Sequence, residues 1–214
     1  MGEDKRHAAV FLDRDGTINE EVGYLDRLEM LRLVPGAAEA IRLINESGMK
    51  AVVVTNQSGV ARGIFDESFL DEVHMRLRKM LSEEAASLDG VYFCPHHPTE
   101  GRGKYLRRCD CRKPEPGLLR RAADELFLDP QRSYMIGDTL KDVETAARFG
   151  ARGILVRTGY GAEAAHALDP ETKPPRINLG VEGRLRGEEP LIRPVHIAGD
   201  LLAAVRWLLK DRKP

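Results

Sequence analysis

Residues 11–17 read FLDRDGT. The run that leads into them, Ala8-Ala9-Val10-Phe11-Leu12, is continuously apolar, as a strand buried on both faces would be. It stops at two carboxylates one residue apart, Asp13 and Asp15, followed by Gly16 and Thr17. Neighbouring carboxylates repel each other, and burial makes the repulsion worse. An isolated Asp-x-Asp-Gly has a plain alternative, an Asx-type turn capping the next segment. The remainder of the chain weighs against that alternative, because other strands end in the same polar way.

Outward from this point the pattern repeats. Short apolar runs recur at 51–54, 91–93, 133–136 and 153–156. Between them the spacing of apolar residues predicts helices at 37–48, 66–86, 117–126 and 140–149, with a closing helix at 198–210. Strands alternating with helices imply an α/β protein whose parallel sheet is covered on both faces. Ligands of such sheets bind beyond the carboxyl ends of the strands. Asp13 and Asp15, Thr55 and Asn56, and Asp138 all stand there. The whole chain, 1–214, is read as one domain. It carries a polar loop at 94–111 and an irregular excursion at 167–194, rich in Pro, Gly, Arg and Glu.

Composition narrows the class. Of 214 residues, 42% are hydrophobic and 31% charged, which excludes general disorder. The formal net charge of -1 gives no overall basic field for nucleic acid or anionic membrane. No apolar run approaches the ~20 residues of a membrane span, and the N-terminal run is too short for a secretory signal. A cytoplasmic monomer acting on a small molecule is expected.

The two acids can do different jobs if a cation relieves them. Oxygen ligands point to Mg²⁺, held by Asp13, Asp138 and a backbone carbonyl, taken as that of Asp15. The expectation is that the metal sits between the paired charges. Asp13 can then attack phosphorus and form an aspartyl-phosphate. Asp15 can protonate the leaving oxygen and later deprotonate the hydrolytic water. The Thr55 hydroxyl can hold the phosphate, and Lys113 can supply the opposing positive charge.

All three cysteines lie in one segment, 94–111. Cys94-x-His96 and Cys109-x-Cys111 each place two side chains on one side of extended backbone. Two such pairs can make a tetrahedral Cys₃His set for Zn²⁺. His97 is the rival ligand, disfavoured by the spacing. The metal would hold a loop that cannot pack a core of its own. Arg102, Lys104, Arg107 and Arg108 of that loop read as a solvated face, whereas Arg112 and Lys113 approach the phosphate site.

These motifs resemble those of a known family. Asp13-Arg14-Asp15-Gly16-Thr17, Thr55-Asn56-Gln57-Ser58, Arg112-Lys113-Pro114 and Gly137-Asp138-Thr139-Leu140-Lys141-Asp142 follow the order seen in the haloacid dehalogenase superfamily of phosphatases. The resemblance spans about 8–160. It implies a Rossmann-like, doubly wound fold, dependence on Mg²⁺, Asp13 as nucleophile and Asp15 as general acid/base. Phosphotransferring ATPases of the superfamily carry Thr at the second acidic position, so Asp15 favours a phosphatase or mutase. No segment is long enough for a large cap, so the site should be open.

Gly23-Tyr24, VVVTNQSGVARG at 52–63, DGVYFCPHHP at 89–98 and CDCRKPEPG at 109–117 narrow the resemblance to the D,D-heptose 1,7-bisphosphate phosphatase family. That implies hydrolysis of the 7-phosphate of D-glycero-D-manno-heptose 1,7-bisphosphate, on the way to ADP- or GDP-heptose for lipopolysaccharide and other surface glycans. It further implies substrate contacts at Glu21, Val22, Gly23, Tyr24, Thr55, Asn56, Gln57 and Ser58. Arg112 would serve recognition, and Thr55 and Lys113 would stabilise the phosphoryl group. Thr139 stands where some members have lysine. Histidinol-phosphate phosphatases share the fold, the motifs and the zinc loop and form the enzymatic alternative. A DNA 3′-phosphatase would need a basic track for the strand. A phosphate-binding or phosphoacceptor module is the non-enzymatic alternative, opposed by Asp15, which would shorten the life of an acyl phosphate.

Overall fold

The computed structural model describes residues 6–168 and 192–212. Most of the excursion expected at 167–194 lies outside them. Six parallel strands form one sheet: β1 (Ala9–Leu12), β2 (Lys50–Asn56), β3 (Gly90–Cys94), β4 (Tyr134–Gly137), β5 (Arg152–Val156) and β6 (His196–Ala198). Their spatial order is β3-β2-β1-β4-β5-β6. The chain starts at the centre, winds outward through β2 and β3, and returns to the other side through β4, β5 and β6. This is the doubly wound α/β arrangement, and its switch point lies between β1 and β4.

Burial explains the unbroken apolar strands. Along β1, Ala9 and Phe11 enter the core on one face while Val10 and Leu12 enter the core on the other. The first face packs on α4 (Gly117–Leu126) and α5 (Leu140–Phe149) through Leu118, Leu119, Ala122 and Ala146. There Phe11 meets Phe149 edge to face at 5.5 Å, a geometry that adds ~0.5–1.5 kcal/mol to area burial. The second face packs on α1 (Ala37–Glu46), α3 (Glu67–Glu83) and α7 (Leu201–Asp211), through Ile41, Ile44, Val73, Leu77, Val205 and Leu208.

Helix starts follow their capping residues. Asp66 caps α3 by accepting from Phe69 N, and Asp200 caps α7 by accepting from Ala203 N. Thr139 and Asp142 form a reciprocal capping box at the start of α5.

The expected elements need three corrections. The closing helix runs Leu201–Asp211 rather than 198–210, because 196–198 pairs with β5 as a sixth strand. Two short helices, α2 (Ser58–Arg62) and α6 (Gly161–Ala167), were not expected, and α6 takes Ala167 from the excursion. No helix among the described residues is long and apolar enough to cross a membrane.

Candidate active site

Asp13 follows β1, Thr55 and Asn56 end β2, and Asp138 follows β4. Parallel pairing of these adjacent strands brings their tips to one edge. The edge opens into a cleft of about 310 Å³. Every expected site residue of the phosphate chemistry lines it except Val22, whose side chain packs against the core instead.

Asp13, Asp138 and Asp142 form one acidic cluster, their nearest oxygens within 4.8 Å of one another. Lys113 enters it with Nζ at 2.8 Å from Asp13 Oδ2 and 2.6 Å from Asp142 Oδ1. It also donates to Val54 O at 3.1 Å. Burial alone would depress the Lys113 ammonium, but Asp13 and Asp142 outweigh it and hold it charged, above the usual lysine range. Burial pushes Asp13 up to about 7 even with Lys113 beside it, and Asp142 adds to the rise. Asp138 is likewise pushed to about 7 by burial and by Asp13.

Asp15 is placed differently from the expectation. Its carboxylate lines the same cleft but is not part of the cluster, and it accepts from Arg14 Nε at 3.1 Å and twice from the same guanidinium at 2.9 and 2.8 Å. Asn19 Nδ2 and Gln57 Nε2 add bonds of 2.9 and 2.8 Å. Burial works to raise its carboxyl, but the Arg14 charge and these hydrogen bonds prevail and hold it below the usual carboxylate range. In the absence of a metal the paired charges are met by protein cations. Asp13 is balanced by Lys113 and Asp15 by Arg14, in two separate arrangements.

Arg14 is the residue that sequence reasoning missed. It is 1% exposed and the largest of the fully buried side chains. Behind it, His74 of α3 stands 3.4 Å from the guanidinium. Burial and Arg14 push His74 down to about 3, so its ring is neutral and its Nε2 can accept. The only signal in the sequence was an arginine between two acids.

Loop residues are fixed by amides. Asn56 accepts from Lys113 N at 3.0 Å and donates to Lys113 O at 3.2 Å, which clamps that lysine's backbone to the tip of β2. Gln57 Nε2 also donates to Thr55 Oγ1 at 2.9 Å. Both residues, expected among the substrate contacts, line the cleft while these side-chain bonds run within the protein. Arg112 donates one N–H to His96 O at 3.1 Å. Glu21 accepts from Gly23 N at 2.5 Å, and Tyr24 lies beneath the Arg62 guanidinium at 5.8 Å.

The cluster has the chemistry of a Mg²⁺ site: oxygen donors only, negative charge in excess of Lys113, and the Asp13 and Asp138 carboxyls lifted first by burial and then by their neighbours' charge. The backbone makes room for it. Gly16 and Gly159 both have positive φ, and a Cβ on either would collide with the Asp138 carboxylate. Asp142 is already used, by Lys113 on one oxygen and by the Thr139 hydroxyl at 2.6 Å on the other. Asp13 and Asp138 also have partners, in Lys113, Arg14 N and Tyr160 N, but they line the cleft and the fully buried Asp142 does not, which makes them the fitting pair.

A second group lies 94–111 along the chain. Cys94 Sγ is 3.5 Å from Cys109 Sγ and 3.2 Å from Cys111 Sγ, and those two are 3.2 Å apart. His96 Nδ1 is 3.3 Å from Cys111 Sγ. These spacings are far beyond a disulfide bond and near the ~3.8 Å edge of a tetrahedron with Zn–S bonds of about 2.3 Å. His97, the rival ligand, instead accepts from Thr99 N and Glu100 N.

Comparison with known proteins agrees with this geometry. A HAD-hydrolase-like family model matches residues 110–179. The D-glycero-β-D-manno-heptose-1,7-bisphosphate 7-phosphatase of Photorhabdus laumondii is 46% identical over 153 residues, 71% of this chain and 81% of that one. The enzyme of the same name from Haemophilus influenzae is 44% identical over 178 residues, 79% of this chain and 95% of that one. Among solved structures, D,D-heptose 1,7-bisphosphate phosphatase from B. bronchiseptica, complexed with magnesium and phosphate, superposes with a TM-score of 0.77 at 28% identity. It covers 96% of this chain and 99% of its own. With a six-stranded doubly wound sheet and an acidic cleft at its strand tips, the chain belongs to the D-glycero-β-D-manno-heptose-1,7-bisphosphate 7-phosphatase family of HAD-like hydrolases.

Proposed function

We propose that this chain is a Mg²⁺-dependent phosphatase that removes the 7-phosphate of D-glycero-D-manno-heptose 1,7-bisphosphate through an aspartyl-phosphate. The observation that carries the reading is the division of labour between two neighbouring acids. Asp13 faces the cleft with Lys113 and Asp138, while Asp15, two residues on, is held by Arg14, Asn19 and Gln57.

An Asp13 oxygen attacks phosphorus, a P–O bond forms to Asp13, and the bond from phosphorus to the sugar O7 breaks. To act as general acid Asp15 must enter the reaction protonated, so substrate binding has to loosen the Arg14, Asn19 and Gln57 contacts that hold it ionised in the free protein. It then gives that proton to the departing alkoxide. Water then attacks the aspartyl-phosphate, Asp15 takes the proton from that water, and phosphate leaves with Asp13 restored. Lys113 and the buried Thr55 hydroxyl face the transferring group and stabilise its charge. Mg²⁺, held by Asp13, Asp138 and the Asp15 backbone carbonyl, supplies further neutralisation of the phosphoryl oxygens when bound. Glu21, Gly23, Tyr24, Ser58 and Arg112 line the remaining cleft and receive the sugar.

Zn²⁺ belongs to the same reading, bound by Cys94, His96 through Nδ1, Cys109 and Cys111. Its role is structural: Arg112 and Lys113 follow Cys111 directly, so the knot fixes the loop that delivers both cations. Every group named comes from one chain, which suits a monomer acting on a small phosphorylated sugar.

Side-by-side turnover of heptose 1,7-bisphosphate and histidinol phosphate tests the substrate, with Asp13→Asn as the control for chemistry. The expected result is preferred release of the 7-phosphate from the bisphosphate, abolished in the variant. Equal or better turnover of histidinol phosphate refutes the substrate, and full activity of Asp13→Asn refutes the nucleophile.

A further inference from the structure

Lys141 lines the cleft, yet the chemistry above gives it no task. It is the second residue of α5, after the Thr139 cap. A cation there opposes the helix dipole and the unpaired N–H groups of the first turn. The adjacent Asp142 offers no relief, being fully buried and engaged by Lys113 and Thr139. Lys141 is exposed, and among the described residues its ammonium makes no ion pair or hydrogen bond, while its backbone carbonyl accepts from the Thr145 hydroxyl. Thr139, its neighbour in the cleft wall, has its hydroxyl committed to Asp142.

The position of Lys141 gives this unrelieved charge a use. A second cavity, about 830 Å³, adjoins the cleft and is lined by His97, Arg108 and others. Arg112, Lys113 and Lys141 line both cavities and so form the wall between them. Lys113 is consumed on the acidic floor by Asp13 and Asp142. Arg112 spends one N–H on His96 O. Lys141 is exposed and Arg112 half-buried, and both border the cleft and the adjoining cavity. A substrate whose reacting phosphate lies at Asp13 must leave its far end in the mouth of the cleft.

We propose that Lys141 is a specificity-determining residue that, together with Arg112, holds the second phosphate of a bisphosphorylated sugar. The proposal rests on the bisphosphatase reading and names the cation that recognises the phosphate not hydrolysed. Attraction for that phosphate offsets the poor electrostatics of a lysine in the first turn of α5. Arg112 supplies a planar fork and Lys141 a mobile point charge, a combination suited to a phosphate whose direction varies with the sugar.

The test compares wild type, Lys141→Met and Lys141→Arg on heptose 1,7-bisphosphate and on the same heptose carrying the 7-phosphate alone. A charge-assisted contact of this kind is worth roughly tenfold or more in binding. The expected result is that Lys141→Met lowers kcat/KM for the bisphosphate by roughly tenfold more than for the monophosphate. The loss should fall mainly in KM, and Lys141→Arg should retain most of the preference. Equal losses on the two substrates, or no loss on either, overturn the role of Lys141 while wild type still prefers the bisphosphate. A wild-type preference for histidinol phosphate overturns both readings at once.

Discussion

Lys113→Met removes the one cation paired with the acidic floor among the described residues while nearly keeping the side-chain volume. Lys113 is 4% exposed and contacts Asp13 at 2.8 Å and Asp142 at 2.6 Å. The variant leaves Asp13, Asp138 and Asp142 clustered with no positive partner among them. Breaking a buried ion pair by deleting one member costs about 3–5 kcal/mol, because the surviving charge stays desolvated. That figure applies where the carboxylates are ionised. Asp13 and Asp138 already sit near 7 in the metal-free protein, so the attraction is full at pH values well above 7 and is lost as pH falls through it. The cost should thus be about 3–5 kcal/mol at high pH without metal and clearly smaller in mild acid, where protonation removes the repulsion. Saturating Mg²⁺ should shrink it too, by returning positive charge to the same oxygens. Urea denaturation followed by circular dichroism measures this, in a grid of two pH values with and without Mg²⁺. A loss below about 1 kcal/mol, or the same loss in both pH regimes, refutes Lys113 as the counterion of this cluster.

Two further predictions concern the metals. Cys109→Ser should cut zinc far below the about one ion per chain that four ligands imply, lower Tm, and slow turnover because Lys113 loses its anchor. Full zinc content in that variant refutes the ligand set. The second concerns Mg²⁺ and pH. Asp13 and Asp138 rise from 3.8 to about 7 on folding, so the folded chain holds protons that the unfolded chain has released. Between those values the two carboxyls erode the stability of the metal-free fold as pH rises. Below about 7 Mg²⁺ must also displace those protons, so its Tm increment at fixed concentration should be greater on the alkaline side. An increment independent of pH refutes the assignment of this pair as ligands.

The strand ends were readable because a buried parallel strand has few reasons to finish in carboxylates. Ala8 to Leu12, the run at 51–54 and Ser133 to Ile136 each led to a cleft residue. The cysteine segment was readable for a similar reason, since i, i+2 spacing converts directly into shared direction. What escaped depends on distant contacts or on local turns that no period announces. β6 has only three residues, His196–Ala198, too few for any period to show, and it exists because β5 offers an unpaired edge. The pairing of Arg14 with Asp15 joins adjacent residues that an extended strand would point to opposite faces, but the chain turns there: Ile18 N and Asn19 N both bond back to Arg14 O. Val22 was placed with the substrate contacts, and the core claimed it. Asn56 and Gln57 line the cleft, and their amides serve Lys113 and Asp15. A motif names the address of a side chain, whereas its bonding partners are set by loops arriving from 57 and 42 positions away.

Gly16 and Gly159 carry no reactive atom, yet they confine Asp138 from two directions. The Thr158 hydroxyl, donating to Gly16 O at 2.5 Å, stitches their two loops together. Two positions of this reaction centre are therefore left empty of side chain so that the Asp138 carboxylate can fill the space, ceded by residues with nothing to contribute except their smallness. An inventory of functional groups would pass over both sites. A saturation screen would rank them beside the acids they shelter, and remodelling either loop for new substrates would have to preserve that emptiness first.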